Sequence, residues 1–147
     1  MLPKLTVVPM REIDTLAAAA AAFGVVDTKG YDFAKIVYLT GKATAASSQD
    51  AWLLGEDDTL STAITDTTAI SGCTGVTDFT VVAESTSYSN TYVFNLDLRG
   101  RKRYISASYE SDATHTGAMF AILSRKEVGD EETVATTAHG TRNIVSA

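Results

Sequence analysis

Cysteine, proline and long apolar runs are all scarce in this 147-residue sequence. It has one cysteine, Cys73, and two prolines. A lone cysteine excludes an internal disulfide and a cysteine-based structural zinc site, and with them a disulfide-rich secreted scaffold. No stretch approaches ~18 uninterrupted apolar residues, so no membrane span is predicted. The alanine-rich run Leu16–Phe23 follows acidic residues, which is atypical of a signal peptide.

Basic residues are also in the minority. Lysine and arginine number 12 against 18 aspartates and glutamates, which gives a net charge of −6. A chain this acidic repels nucleic acid and anionic membranes on average, so neither is predicted as a partner. Apolar residues make up 45% of the chain, enough to bury the core of one ordinary domain.

The first 24 residues differ in composition from the rest. Both prolines, Pro3 and Pro9, lie here, and the alanine run Ala17–Ala22 follows them. Propensity favours a helix over Pro9–Ala22 that stops at Gly24. The alternative is an extended arm on the body or on a neighbour. We predict an arm over residues 1–24, weakly docked in the free subunit and ordered against a partner.

From Val25 onward the sequence is typical of β-structure, because β-branched and aromatic residues recur in short runs. No helical period of useful length is present. Six to eight short strands with turns between them predict an all-β sandwich or small barrel. The body is assigned to residues 25–127, and residues 128–147 to a C-terminal tail. The predicted strands are Phe33–Thr40, Ala51–Leu54, Phe79–Glu84, Tyr92–Leu98, Tyr104–Tyr109 and Gly117–Leu123, with short strands around Ala63–Ile64 and Ala69–Ile70.

Strand alternation also predicts which side chains form the core. In the best-patterned strand, Tyr92, Phe94 and Leu96 share one face. Gly117–Leu123 is apolar on both faces and is expected to be a central strand. The predicted core consists of Phe33, Ile36, Val37, Leu39, Trp52, Leu54, Phe79, Val81, Phe94, Leu96, Leu98, Ile105, Phe120, Ile122 and Leu123.

Catalytic patterns are not found in the sequence. His115 and His139 lie in polar, turn-like surroundings, and no Gly-x-Ser-x-Gly segment supplies a nucleophile. The acidic runs beginning at Glu56 and Asp130 lack the alternation of a calcium loop, so we interpret them as solvated turns. Cys73 is interpreted as a structural thiol. The chain is therefore predicted not to be an enzyme and to need no metal or cofactor.

One basic cluster stands out between two well-patterned strands. Arg99, Arg101, Lys102 and Arg103 surround Gly100, which suits a tight hairpin turn. The cluster is either a contact for an acidic partner surface or phosphate, or a solvated turn whose charges discourage edge pairing.

Three segments together carry a resemblance to a known family. They are Val26-Asp27-Thr28-Lys29-Gly30-Tyr31-Asp32, then Phe94-Asn95-Leu96-Asp97-Leu98-Arg99-Gly100-Arg101-Lys102-Arg103-Tyr104-Ile105, and last Gly117-Ala118-Met119-Phe120-Ala121-Ile122-Leu123-Ser124-Arg125. Their order resembles that in small virion proteins of tailed bacteriophages and prophages. The resemblance covers roughly residues 25–127.

The resemblance implies a structural protein of the particle. The expected role is a head decoration (cement) protein on the outer capsid surface, with a jelly-roll-like sandwich body and extended N- and C-terminal arms. It would be made in the host cytoplasm. Its expected partners are the major capsid protein and sister copies, as a trimer in preference to a dimer. The alternatives are a virion-displayed sandwich that binds carbohydrate or a host surface, and a neck or tail protein. The predicted partner-binding residues are Arg99, Arg101, Lys102, Arg103, Pro9, Leu16 and Phe23.

Overall fold

The structure, a computed structural model, describes residues 5–46, 51–60, 67–75, 85–125 and 141–145. These residues form nine β-strands and no helix. The strands are β1 (Leu5–Leu16), β2 (Ala21–Asp27), β3 (Phe33–Thr40), β4 (Ala51–Asp57), β5 (Thr68–Thr74), β6 (Asn90–Asp97), β7 (Tyr104–Glu110), β8 (His115–Ser124) and β9 (Thr141–Val145).

The strands form two sheets, one of five strands in the order β1-β8-β3-β6-β9 and one of four in the order β2-β7-β4-β5. All pairs are antiparallel except β6 with β9. The predicted all-β sandwich is confirmed. Pairing among the first eight strands is nested, since β1 pairs with β8, β2 with β7, β3 with β6 and β4 with β5. This order favours the jelly-roll interpretation, which stays a prediction.

Aromatic side chains fill the centre of the sandwich. The Trp52 ring lies 5.0 Å from that of Phe94 and 4.9 Å from that of Tyr109, measured between centroids. Tyr38 and Tyr92 complete the cluster at 5.4 and 5.2 Å from Trp52. All five side chains are almost fully buried. Because they come from both sheets, their contacts hold the sheets together.

Most of the predicted core is buried. The correct assignments are Ile36, Val37, Trp52, Leu54, Phe94, Leu96, Leu98, Ile105 and Leu123. Leu39 is instead 42% exposed, and Phe33, Phe120 and Ile122 are only partly buried. These four residues lie on the outer face of the five-stranded sheet, as alternation along the strands requires. Val37 shares that face but is buried at 6% exposure. Phe79 and Val81, like the strands predicted at Phe79–Glu84 and Ala63–Ile64, lie outside the described residues.

The N-terminal segment requires the largest correction. Strands β1 and β2 take up residues 5–16 and 21–27, so the helix over Pro9–Ala22 is wrong and the arm boundary at residue 24 falls inside a strand. Pairing with β8 along β1 supplies backbone hydrogen bonds that a helix propensity cannot outweigh. The first four alanines form the turn between β1 and β2, where Ala19 has a φ of 59°.

Glycine explains two further departures from the predicted strand limits. Gly24 lies within β2, where a side chain would come within 2.8 Å of the Met10 Cβ. Gly55 lies within β4. Glycine is required there because the side chain of Thr67 occupies the place where a Cβ would project. Gly55 therefore does not end the strand, which continues to Asp57. Of the predicted C-terminal tail, Thr141–Val145 forms β9, and the rest lies outside the described residues.

Candidate functional site

The basic cluster forms the turn between β6 and β7. Gly100 adopts a φ of +83°, which explains why glycine suits this position, and the amide of Arg101 donates to the carbonyl of Leu98 at 3.1 Å. The tight bend at Gly100 is as predicted, but the hairpin is not. β6 belongs to the five-stranded sheet and β7 to the four-stranded sheet, so this turn carries the chain from one sheet to the other. Its charged side chains spread from a tight bend at one end of the sandwich.

Two arginines of the turn are held by carboxylates of the same chain. The guanidinium of Arg103 donates to both oxygens of Asp27, at 2.9 and 2.6 Å. Arg99 makes an equivalent forked contact with both oxygens of Asp97. Arg103 also lies over the ring of Tyr104, and Arg99 over that of Phe33. These contacts orient both guanidinium groups and leave them partly exposed.

The same contacts change the acidity of the two carboxyl groups. Hydrogen bonds from Arg103 lower the pKa of Asp27 from 3.8 to about 2. Hydrogen bonds from the side chain and amide of Arg99 lower the pKa of Asp97 from 3.8 to about 2. Both carboxylates are therefore charged throughout the neutral range, and both pairs persist there.

The remaining basic residues of the turn contact the four-stranded sheet. Arg101 lies 3.6 Å from a carboxylate oxygen of Glu56, and both side chains are largely buried. The amide of Lys102 donates to the same oxygen at 3.4 Å, and its Nζ lies 3.1 Å from the hydroxyl of Thr68. The cluster is thus largely neutralised within the chain, and a partner would have to compete with these contacts.

A second turn, after β2, is docked onto the basic one. Thr28 donates to the carbonyl of Arg103 through both its amide, at 3.0 Å, and its hydroxyl, at 2.6 Å. The amide of Leu98 donates to the carbonyl of Asp32 at 2.8 Å. Arg125, just after β8, donates to the carbonyl of Gly30 at 2.6 Å. We call this assembly of residues 27–32, residues 97–103 and Arg125 the turn end.

A shallow open cleft lies between the two turns of the turn end. It is lined by Thr28, Lys29, Gly30, Tyr31, Asp58, Leu98, Arg101, Lys102 and Arg103. Lys29 is exposed beside it. The cleft offers ammonium and guanidinium donors alongside a carboxylate, which suits a polar, charged protein surface better than an apolar ligand.

The other predicted partner-binding residues lie apart from the turn end. Pro9 is exposed on β1, and Phe23 is half-buried in β2. Leu16 packs in the core at 4% exposure, so its predicted role as a partner contact is corrected. Its position explains the burial, because β1 ends at Leu16 opposite the buried His115.

Titratable and nucleophilic groups elsewhere serve the core. His115 is buried, and its Nε2 lies 2.7 Å from the hydroxyl of Tyr38. Cys73 is buried as a free thiol. Across the described ranges, no three histidine, cysteine, aspartate or glutamate side chains converge as metal ligands, and no helix there could span a membrane. His139 lies outside those ranges.

Sequence reasoning missed two sets of residues. Asp27, Asp32 and Arg125 hold the turn end together, and they had been read only as parts of motifs. The available signal was the charge of Asp27, which is opposite to that of Arg103. Asp32 contributes its backbone carbonyl and Arg125 binds the carbonyl of Gly30, contacts that a charge pattern does not reveal.

The second set is on β1, where Leu5 and Val7 are 61% and 64% exposed. Leu5, Val7 and Pro9 recur at every second residue, a spacing that indicates a strand. The prolines and the alanine run beside them favour other structures, so this spacing is easily missed.

Comparison with known proteins adds little to this description. No protein-family model and no curated protein matches the sequence. One solved structure with similarity is a chain from Bacillus endospore appendages, described as a novel family of disulfide-linked pili. It is 15% identical, covers 84% of this chain and 92% of its own, and superimposes with a TM-score of 0.38. A likeness at this level supports no conclusion about function.

Proposed function

We propose that this protein is a structural, non-catalytic virion protein that binds the outer capsid surface and stabilises the head. The proposal combines the sequence resemblance to small phage proteins with the architecture of the turn end. Its expected partners are the major capsid protein and sister copies of itself. In this proposal the protein is made in the host cytoplasm and is incorporated into the particle.

The observation that carries the proposal is the meeting of all three resembling segments at the turn end. Asp27 of the first segment pairs with Arg103 of the second. Arg125 of the third binds the carbonyl of Gly30 in the first. Segments that are distant in sequence thus form one exposed surface, and this supports treating them as a single functional unit.

The arrangement of aromatic residues favours this function over carbohydrate binding. A sugar platform needs several exposed aromatic rings, whereas Trp52, Tyr38, Tyr92, Tyr109 and Phe94 are all buried between the sheets. Among the described aromatic residues, Tyr88 alone is exposed, at 45%. A neck or tail position would use the same kind of protein contact, and particle labelling separates it from a head position. We therefore retain the capsid surface as the proposed site.

The experiment compares particles assembled with and without the chain, using negative-stain microscopy and immunogold labelling. Lys29→Glu should lower occupancy severalfold, because it reverses an exposed charge beside the cleft. Lys42→Glu is the matched control. Lys42 is also exposed, but it follows the C-terminal end of β3, whereas the turn end precedes the N-terminal end of that strand. Label along the heads supports the proposal. Label confined to necks or tails, or particles devoid of the protein, would contradict it.

A further inference from the structure

The free edge of β1 differs from the rest of the described surface. β1 is the outermost strand of the five-stranded sheet, and β8 is the only strand paired with it among the described residues. Its other edge therefore presents a row of backbone groups that none of the described strands pairs. Pro9 has no N–H and offers only a carbonyl, so the donors of this edge come from the residues before it. An exposed edge with donors and acceptors of this kind can accept a further strand.

The side chains on the first half of β1 are unusual for an exposed edge. Leu5, Val7 and Pro9 point away from the core, and all three are exposed. Val8 and Met10, on the opposite face, pack against the core. An edge strand that is apolar on both faces leaves its outer row in water, which favours coverage by another apolar strand.

The part of β1 with a regular register is Leu5–Pro9, and a further strand could pair along this part. Over these residues the register with β8 is continuous, from Leu5 opposite Ser124 to Pro9 opposite Phe120. Beyond Pro9 the register shifts twice, before and after Arg11. Irregular stretches of this kind discourage pairing at an edge. Gly24 of β2 also packs close to Met10, beside this irregular half.

The outer row continues from the edge across the sheet. Pro9 lies opposite Phe120, Phe120 opposite Val37, and Val37 opposite Val93. All four residues are apolar and span four strands. Val37 and Val93 are already buried, so the accessible part of the row is Pro9 and the partly buried Phe120. A partner strand at β1 would extend this row rather than interrupt it.

We propose that the free edge of β1 pairs antiparallel with the β1 strand of a second copy, about a two-fold axis at Val7. This register places Val7 opposite its counterpart and Leu5 opposite Pro9 of the second copy. Residues 5–9 contain no charged side chain, so two chains of net charge −6 can meet here without like charges in contact. Arg11, Glu12 and Asp14 lie beyond the overlap.

A second copy suits this edge better than an unrelated strand. The pairing requires an uncharged strand that is apolar on its outer face and has a free edge, and β1 itself meets these conditions. An isologous pair covers both free edges and both apolar rows at once. The inference is independent of the proposed function, because it concerns the purified protein without particles.

Analytical ultracentrifugation of the full chain tests this pairing. Protein concentrations from about 1 μM to 1 mM cover dimer dissociation constants from moderate to weak affinity. The wild type should form a dimer. Val7→Lys should raise the dimer dissociation constant at least tenfold, because it places two ammonium groups at the axis. Ile13→Lys is the matched control, since Ile13 is 78% exposed on β1 beyond the regular segment, and it should leave the constant unchanged. Far-UV circular dichroism checks that both variants fold.

Disulfide trapping tests the register directly. Opposed residues of an antiparallel pair lie about 4.5–5.5 Å apart between Cα atoms, within the range of a disulfide. Val7→Cys should therefore form an intermolecular disulfide under mild oxidation, and Ile13→Cys should not. A wild-type chain that stays monomeric, assembles only as a trimer, or dimerises equally well as Val7→Lys would overturn the inference.

Discussion

The turn end and the β1 edge are both exposed, but they differ in how their polar groups are satisfied. At the turn end Arg99, Arg101 and Arg103 each contact a carboxylate of the same chain. At the β1 edge, apolar side chains from Leu5 to Pro9 flank backbone groups that no described strand pairs. The paired arginines of the turn end thus stabilise the subunit and leave Lys29 and the cleft for the proposed capsid contact, whereas the β1 edge is available for self-association.

This difference shows why a run of like charges is an ambiguous sign of a binding surface. The basic cluster looked available in the sequence because its partners Asp27 and Glu56 are distant along the chain. The fold brings them together and neutralises most of the cluster. Changes at the turn end should accordingly alter the stability of the monomer, whereas changes at the regular half of β1 should alter self-association.

The largest expected effect is in the core beneath both regions. Phe94→Ala should reduce the free energy of unfolding by about 3–5 kcal/mol, because Phe94 is fully buried against Trp52. Phe120→Ala is the comparison on the outer apolar row. It should cost less, about 1–2 kcal/mol in the monomer, since its ring is only partly buried. Denaturant unfolding of both variants measures the difference, and equal losses would contradict the assignment of faces.

A smaller effect is expected at the turn itself. Gly100→Ala should reduce the free energy of unfolding by about 1–2 kcal/mol, because an alanine resists the left-handed backbone. No atom within 4 Å would hinder the added Cβ, so the loss reports backbone strain alone. Gly100→Asn, which tolerates this conformation better, should cost less in the same unfolding assay. An alanine variant as stable as the wild type would show that the turn does not constrain the subunit.

The smallest effect concerns pH. The pKa values of Asp27 and Asp97 are lowered to about 2 in the folded chain, so their ion pairs stabilise it above the ordinary value of 3.8. That stabilisation should be lost as the pH falls from about 4 to 2. Because both pairs are partly exposed, the contribution is modest.

The matched control for the pH effect is the double variant Asp27→Asn, Asp97→Asn, which cannot titrate at these positions. The difference in the free energy of unfolding between wild type and variant should be constant from pH 7 to about 5. It should shrink towards pH 2. Denaturant titrations across this range measure it, and a difference that does not change with pH would contradict the role assigned to the two pairs.

Sequence reasoning succeeded where local pattern and tertiary environment agree. Tyr92, Phe94 and Leu96 recur with a period of two along β6, and the sandwich buries all three as that period requires. The tight bend between β6 and β7 was equally predictable, since Gly100 sits between two alternating segments, but the predicted hairpin pairing was wrong because the two strands belong to different sheets. In these regions the local preference and the fold specify the same structure.

Elsewhere the local structure depends on contacts with residues that are distant in the sequence. The alanines before β2 favour a helix locally, but pairing with β8 and β7 makes strands on either side of them. Phe120 lies in a strand that is apolar on both faces, so composition alone could not show which face is inward. Likewise, the neutralisation of Arg103 depends on Asp27, 76 residues earlier.

Amide hydrogen exchange at increasing protein concentration tests the central contrast most directly. Alternate amides in Leu5–Val8 should exchange quickly in dilute solution and become protected as the concentration rises, because a second β1 strand then pairs with them. The amide of Arg101, bonded to Leu98 within the turn, should be protected equally at all concentrations. Concentration-dependent protection at the turn end, with none at the β1 edge, would contradict the account.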